Sequence, residues 1–275
     1  MRLIHSFKTI KQDKKFYNLI WCTVLSCIYA KESGFTIKLY TDSIAYEYLK
    51  FAPYDEIEVC LDELPNVPSI YANAKMEALK REPIGSIHID CDVFLKHPNL
   101  VKELDTDKDL IIQSIENYGD EVKPGFKLGY LWDKAIKNVK SLFVPAYTST
   151  DCEAMYNCGI LGFNNQELKD LFISEYEKGF DVIKNNIDKI DPKGICDLIL
   201  EQQHLYDICK TYNYSVEFLL NNKTMQEDAV IKGYQHLLGG TKHIYENTIK
   251  VKKLVYNKNF EVYNNLERLI NKNGL

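Results

Sequence analysis

The 275-residue sequence predicts an α/β fold of the doubly wound kind. Three observations predict it. Short runs rich in β-branched and aromatic residues alternate with helix-type segments through the first half, the pattern of a sheet with helices on its faces. Glycine or aspartate breaks several of these runs. Two carboxylates, Asp90 and Asp92, directly follow one run, and in doubly wound sheets ligands collect outside the carboxyl ends of strands.

The elements follow in order. "RLIHSF" (2–7) reads as the first strand. "FYNLIWCTVLSCIYA" (16–30) reads as a buried helix. It is shorter than the roughly 20 residues a membrane span needs. Asn18, Thr23 and Ser26 interrupt it, and the mixed-charge segment before it is not the basic flank of a signal peptide. "FTIKLYT" (35–41), between Gly34 and Asp42, is a second strand and "EIEVCL" (56–61) a third. "YANAKMEALKRE" (71–82) holds good helix formers, and Gly85 then introduces the strand "SIHID". Further on, "MYNCGILGFNN" (155–165) is a strand and "QELKDLFISEYEKGFDVIKN" (166–185) an amphipathic helix. A second helix covers 196–213, and "SVEFLL" (215–220) is a late strand. The Lys/Asn-rich tail from about 246 ends in one surface helix. With no repeat or linker, the expected organisation is one domain over 1–245 with a helical tail, 246–275, packed on it.

Composition narrows the function. Hydrophobic residues at 45% and charged residues at 27% are ordinary globular values, so one sizeable core is expected. A formal charge of −5 leaves no basic footprint for nucleic acid. An anionic substrate would therefore need a metal or a few placed lysines. The eight cysteines include no Cys-x-x-Cys pair, and the spacings Cys22/Cys27, Cys152/Cys158 and Cys196/Cys209 form no zinc set. Reduced thiols in a cytoplasmic protein with no transmembrane segment are expected, working in solution or at the inner face of a membrane. No G-x-G-x-x-G or P-loop signature is present.

Asp90-Cys91-Asp92 is an Asp-x-Asp after an apolar strand. Two carboxylates at i and i+2 in a turning segment can reach one hard cation and leave positions open for phosphate oxygens. The same pair can equally do no more than solvate a strand end. "HLLGGTK" (236–242) adds an imidazole in His236, close backbone approach at Gly239 and a point charge for phosphate in Lys242.

The order Lys75, Asp90-x-Asp92, "YNCGILGFN", "HLLGGTK" resembles the family-8 glycosyltransferases, the glycogenin-like and bacterial galactosyltransferase-like enzymes, over about residues 1–245. The resemblance implies the GT-A nucleotide-diphospho-sugar transferase fold, a Rossmann-like mixed sheet flanked by helices. It implies Mn²⁺ or Mg²⁺ on Asp90, Asp92 and His236, and a nucleotide-sugar donor met by Ser6, Phe7, Lys75, Asn157, Gly239 and Lys242. It also implies a hexosyltransferase-like, retaining reaction on a glycan, lipid-linked or protein acceptor, such as a cell-surface glycan precursor. The family's Asp-Gln pair is matched approximately by Glu201 and Gln202, which would be the catalytic groups. Its Pro-Trp after the last lysine is replaced by His243-Ile244. On their own, Lys75, Glu201 and Gln202 also read as solvated helix residues, and Asn157 as a turn residue.

Two other classes compete. An Asp-x-Asp phosphohydrolase would use Asp90 as nucleophile and Asp92 as acid/base. Such motifs sit on the first strand with Thr or Val four residues on, where this chain has Phe94. A non-catalytic nucleotide-sugar-binding protein would keep the site and turn nothing over.

Overall fold

The structure, a computed structural model, describes residues 2–68, 70–123, 126–127, 129–140, 142, 153–190, 196–220 and 225–272. Cys152 and the tail end 273–275 lie outside these residues. The strands are β1 (Arg2–Phe7), β2 (Thr36–Thr41), β3 (Glu56–Val59), β4 (Ser86–Ile89), β5 (Val93–Leu95), β6 (Leu110–Asn117), β7 (Glu121–Lys123), β8 (Phe126–Lys127), β9 (Ala154–Phe163), β10 (Val216–Phe218) and β11 (Tyr234–His236). The helices are α1 (Lys14–Glu32), α2 (Ser43–Leu49), α3 (Asn73–Arg81), α4 (Leu100–Glu103), α5 (Gly129–Lys140), α6 (Gln166–Asn185), α7 (His204–Tyr212), α8 (Met225–Ile231), α9 (Tyr245–Lys258) and α10 (Phe260–Lys272). The fold is α/β, as expected. Two compact units divide it: Met1–Leu64, Ser86–Asp105 and Thr224–Leu275 make the first, and Pro65–Gly85 with Thr106–Lys223 the second.

In the first unit β4, β1, β2 and β3 lie side by side in that order, all parallel. β1, β2 and β4 are almost wholly buried, and parallel strands covered on both faces read as near-continuous apolar runs. α1 begins where the Asp13 side chain accepts from the N–H groups of Lys15 and Phe16. It stops at Gly34, whose φ of +88° permits the left-handed turn that ends a helix. Two of the polar residues that punctuate α1, Thr23 and Ser26, are satisfied in the interior. Thr23 Oγ1 donates to Leu19 O, and Ser26 Oγ donates to Val93 O. Ser26 Oγ also lies 3.1 Å from His5 Nε2, while His5 Nδ1 lies 2.7 Å from Tyr54 Oη. Burial pushes the His5 pKa down to about 3, against a weaker pull from Asp92, so the ring is a neutral link between β1 and α1.

The tail forms two helices rather than one. Asn259 leaves the helical path between α9 and α10, and its Oδ1 accepts from Val262 N, capping the second helix. α9 packs on α1, and Tyr263 of α10 sets its ring 5.3 Å from Trp21.

In the second unit β6 runs antiparallel to β9 and parallel to β10, so the strand arrangement is mixed. β9 is buried along all ten residues. The residue at the N-cap of α3, Ala72, has no side chain that can cap it. Asp197, distant in sequence, supplies one: its carboxylate accepts from Tyr71 N at 2.5 Å, Ala72 N at 3.2 Å and Tyr176 Oη at 3.2 Å. At the other end Lys169 Nζ donates to Glu82 O. A carboxylate at the N-terminus and an ammonium at the C-terminus both match the helix dipole.

Burial raises the Asp197 pKa from 3.8 to about 6, opposed by the Tyr71, Ala72 and Tyr176 hydrogen bonds and by Lys75. A pKa raised in the folded state contributes stability that is full below the unfolded value and is lost as pH rises through the folded one. Wild type should therefore lose about 2 kcal/mol relative to Asp197→Asn between pH 4 and pH 7, at 1.36 kcal/mol per unit. Urea unfolding of both proteins across that range checks this, and a pH-independent difference contradicts it.

Candidate metal and phosphate site

β4 ends at Ile89, and Asp90 to Asp92 form a tight turn in which Val93 N donates to Asp90 O at 2.9 Å. The chain then enters β5, which pairs antiparallel with β11 so that His236 stands opposite Val93. Leu237 N donates to Asp92 O at 3.1 Å. Backbone register thus delivers the imidazole to the Asp-x-Asp. Asp90, Asp92 and His236 each offer one ligand atom, all within 4.8 Å of one another. Lys242 follows on a 3₁₀ turn, Gly239–His243, that opens with Gly239 at φ +56°. Among the described residues, nothing beyond its own chain neighbours lies within 4 Å of where a Gly239 side chain would begin. Backbone conformation therefore calls for glycine there, and that face stays open to a ligand.

Asp92 is the buried member of the pair, 2% exposed, and both its oxygens are engaged. His236 Nε2 lies 3.4 Å from Oδ1, and Lys242 Nζ lies 2.5 Å from Oδ2. Burial alone would raise the carboxyl pKa, but the charge and hydrogen bonds of His236 and Lys242 outweigh it and hold the pKa well below the usual range. Burial would likewise lower Lys242, yet Asp92 keeps its pKa above the ordinary lysine value. The Asp90 side chain is 31% exposed and lends the site an open side.

The donor set fits a divalent ion. Two carboxylates and one imidazole suit Mn²⁺ or Mg²⁺, the nitrogen favouring Mn²⁺, and three protein ligands leave positions for phosphate oxygens or water. Lys242, now on Asp92, is a cation within the same cluster and can turn to an anion.

The other residues named from sequence fall as follows. Ser6 Oγ lies 2.8 Å from His88 Nε2, and Phe7 is buried, 5.8 Å ring to ring from Phe16. In the second unit Lys75 Nζ donates to Glu201 Oε1 at 2.8 Å and to Cys158 O at 2.9 Å. Both side chains of that pair are buried, so Lys75 and Glu201 are not the solvated helix residues that the bland reading makes them. Asn157 Nδ2 donates to Glu116 Oε1 at 2.6 Å, and its Oδ1 accepts from Gly159 N at 3.0 Å. Glu201 and Gln202 stand in a wide π-type turn, Leu198–Gln203, where a regular helix was expected to begin. Such turns are frequent at functional sites. Gln202 Oε1 is buried without a hydrogen-bond partner among the described residues, an expensive arrangement that a ligand hydroxyl or a water would relieve. His88, which belongs to no motif in the sequence, sets Nε2 2.8 Å from Ser6 Oγ and Nδ1 3.8 Å from Asp90 Oδ1.

Fold and site together define an α/β protein with a candidate metal site of two carboxylates and one imidazole. The chain belongs to the Family of unknown function (DUF6734), whose model matches residues 1–269. No curated protein matches it. Among solved structures it is similar to the galactosyltransferase LgtC in complex with donor and acceptor sugar analogs, with a TM-score of 0.49, 11% identity, and 94% of this chain and 96% of that chain covered. It is also similar to an active-site mutant of LgtC, with a TM-score of 0.47, 13% identity, and the same coverage of 94% and 96%.

Asp92→Asn should stay folded by circular dichroism and lose Mn²⁺ affinity by more than the roughly 10–100-fold that removing an outer-shell partner costs. Isothermal titration with Mn²⁺ checks this. An unchanged affinity would remove Asp92 from the ligand set.

Proposed function

We propose that the chain is a metal-dependent, GT-A-type glycosyltransferase that moves a hexose from a nucleoside-diphosphate donor to a hydroxyl of a glycan, lipid-linked or protein acceptor. The observation that carries this reading is the convergence of Asp90, Asp92 and His236 within 4.8 Å, with Lys242 on the same cluster. Asp90, Asp92 and His236 would hold Mn²⁺ or Mg²⁺, which when bound neutralises charge on a leaving diphosphate. Lys242, a strong donor held in its charged form, would exchange Asp92 for a phosphate oxygen. Ser6, Phe7 and Gly239 are the proposed donor contacts of the first unit.

In the transfer, the bond from the anomeric carbon to the phosphate oxygen breaks and a bond to the acceptor oxygen forms. The nucleoside diphosphate leaves, and its departing phosphate oxygen takes the proton that the acceptor hydroxyl gives up. Glu201 and Gln202 are the proposed groups acting on the sugar, with Lys75 and Asn157 as sugar-side donor contacts. The Glu201 carboxylate is already fixed by Lys75, so it would act as a placed negative charge. The unpartnered Gln202 Oε1 would accept from a sugar or acceptor hydroxyl. The retained anomeric configuration is the proposed outcome. No helix among the described residues is long and apolar enough to cross a membrane. The proposed place of work is the cytoplasm, in solution or at the inner face of a membrane.

A panel of nucleotide sugars, each assayed for nucleoside-diphosphate release with and without Mn²⁺, tests the reading. Release should require Mn²⁺, and Gln202→Ala should cut turnover at least roughly tenfold, about 1.4 kcal/mol of barrier, with donor affinity little changed. Binding without release would favour the non-catalytic reading. Phosphomonoester hydrolysis without sugar turnover would favour the phosphohydrolase.

A further inference from the structure

We infer that His88 is a positioning residue for Asp90, holding that carboxylate in the orientation a divalent ion needs; the inference rests on the metal reading of Asp90, Asp92 and His236. His88 lies on β4 two residues before Asp90 and is only 2% exposed. Asp90 is the first residue past the end of β4, and the ring approaches its carboxylate where the strand passes into the turn. β1 and β4 run parallel with Ile4 beside His88, which brings Ser6 of β1 level with Asp90. The ring bridges the two: Nε2 is 2.8 Å from Ser6 Oγ, and Nδ1 is 3.8 Å from Asp90 Oδ1.

One tautomer of the ring suits both partners. A Ser6 hydroxyl that donates to Nε2 leaves the ring proton on Nδ1, and that N–H then faces Asp90. Asp92 is clasped by His236 and Lys242, whereas the Asp90 side chain is 31% exposed at the rim of the turn. A separation of 3.8 Å is long for a hydrogen bond and close enough to become one with a small carboxylate rotation. Outer-shell donors of this kind fix the direction of ligating carboxylates, and their loss weakens metal binding without removing a ligand. A histidine that only filled the strand's interior would not need to face the carboxylate, and leucine would serve as well. The Ser6 hydroxyl thereby has a duty to His88 besides any contact with a donor.

The test is Mn²⁺ binding to the full chain without nucleotide, read from the electron paramagnetic resonance signal of free Mn²⁺, with folding followed by circular dichroism. Wild type, His88→Leu, His88→Asn and Ser6→Ala are compared. His88→Leu should weaken Mn²⁺ binding roughly 10–100-fold. His88→Asn, whose amide N–H can stand in for Nδ1–H, should recover most of the affinity. Ser6→Ala, which frees the tautomer, should lose several-fold. Wild-type affinity in His88→Leu, or equal losses in His88→Leu and His88→Asn, would overturn the inference. Should His88→Leu not fold, Ser6→Ala decides, because unchanged affinity there contradicts the bridge. A wild-type chain that binds no Mn²⁺ would overturn the metal reading itself and this inference with it.

Discussion

Asp92 exposes 2% of its surface, and a bare carboxylate at that depth would be driven to take up a proton. It stays ionised because His236 and Lys242 approach its two oxygens, and both arrive by way of one short backbone pairing. β11 reads against β5 over three residues, and the register sets His236 beside the Asp-x-Asp. A one-residue slip would turn the imidazole to the opposite face of the ribbon. The 3₁₀ turn that follows, started by Gly239 in the left-handed region, returns the chain so that Lys242 meets the same carboxylate. The charged cluster that makes the candidate metal site of the first unit therefore depends on the register of a very short ribbon.

The second unit keeps its buried charges in another way. Lys75 and Glu201 neutralise one another, with the Cys158 carbonyl taking a second Lys75 hydrogen bond. Removing one partner of such a pair strands the other, which is why single changes there are costly. α3, which carries Lys75, is gripped by Asp197 at its start and Lys169 at its end. A nine-residue helix is marginal by itself, so these two contacts do much to decide where Lys75 points.

Much of this was legible in the sequence, and the reasons differ element by element. The strands at 2–7, 36–41 and 86–89 announced themselves because burial on both faces demands continuous apolar runs. Helix α1 was readable for the same reason, and Thr23 and Ser26 inside it became hydrogen bonds within the unit. The Asp-x-Asp and His-x-x-Gly-x-x-Lys segments were visible as motifs, but their meeting was not, since β5 and β11 are too short to leave a periodic signal. β6 (LIIQSIEN) carries a β-branched signal too, yet sits outside the alternation read from sequence. Glu201 looked like a helix-surface acid because spacing cannot see that Lys75, 126 positions away, would bury beside it. The Asp197 and Lys169 grips on α3 and the Ser6–His88 bridge share that character. Each is a long-range contact made by residue types that are ordinary in isolation.

The central claim is that Asp90, Asp92 and His236 form one divalent-metal site. Anomalous scattering from crystals grown with Mn²⁺ and a nucleoside diphosphate tests it most directly. The account predicts a single manganese peak bonded to all three side chains and to the diphosphate, with Lys242 moved from Asp92 to a phosphate oxygen. A diphosphate bound with no manganese at these residues, or a manganese peak held elsewhere on the chain, would contradict it.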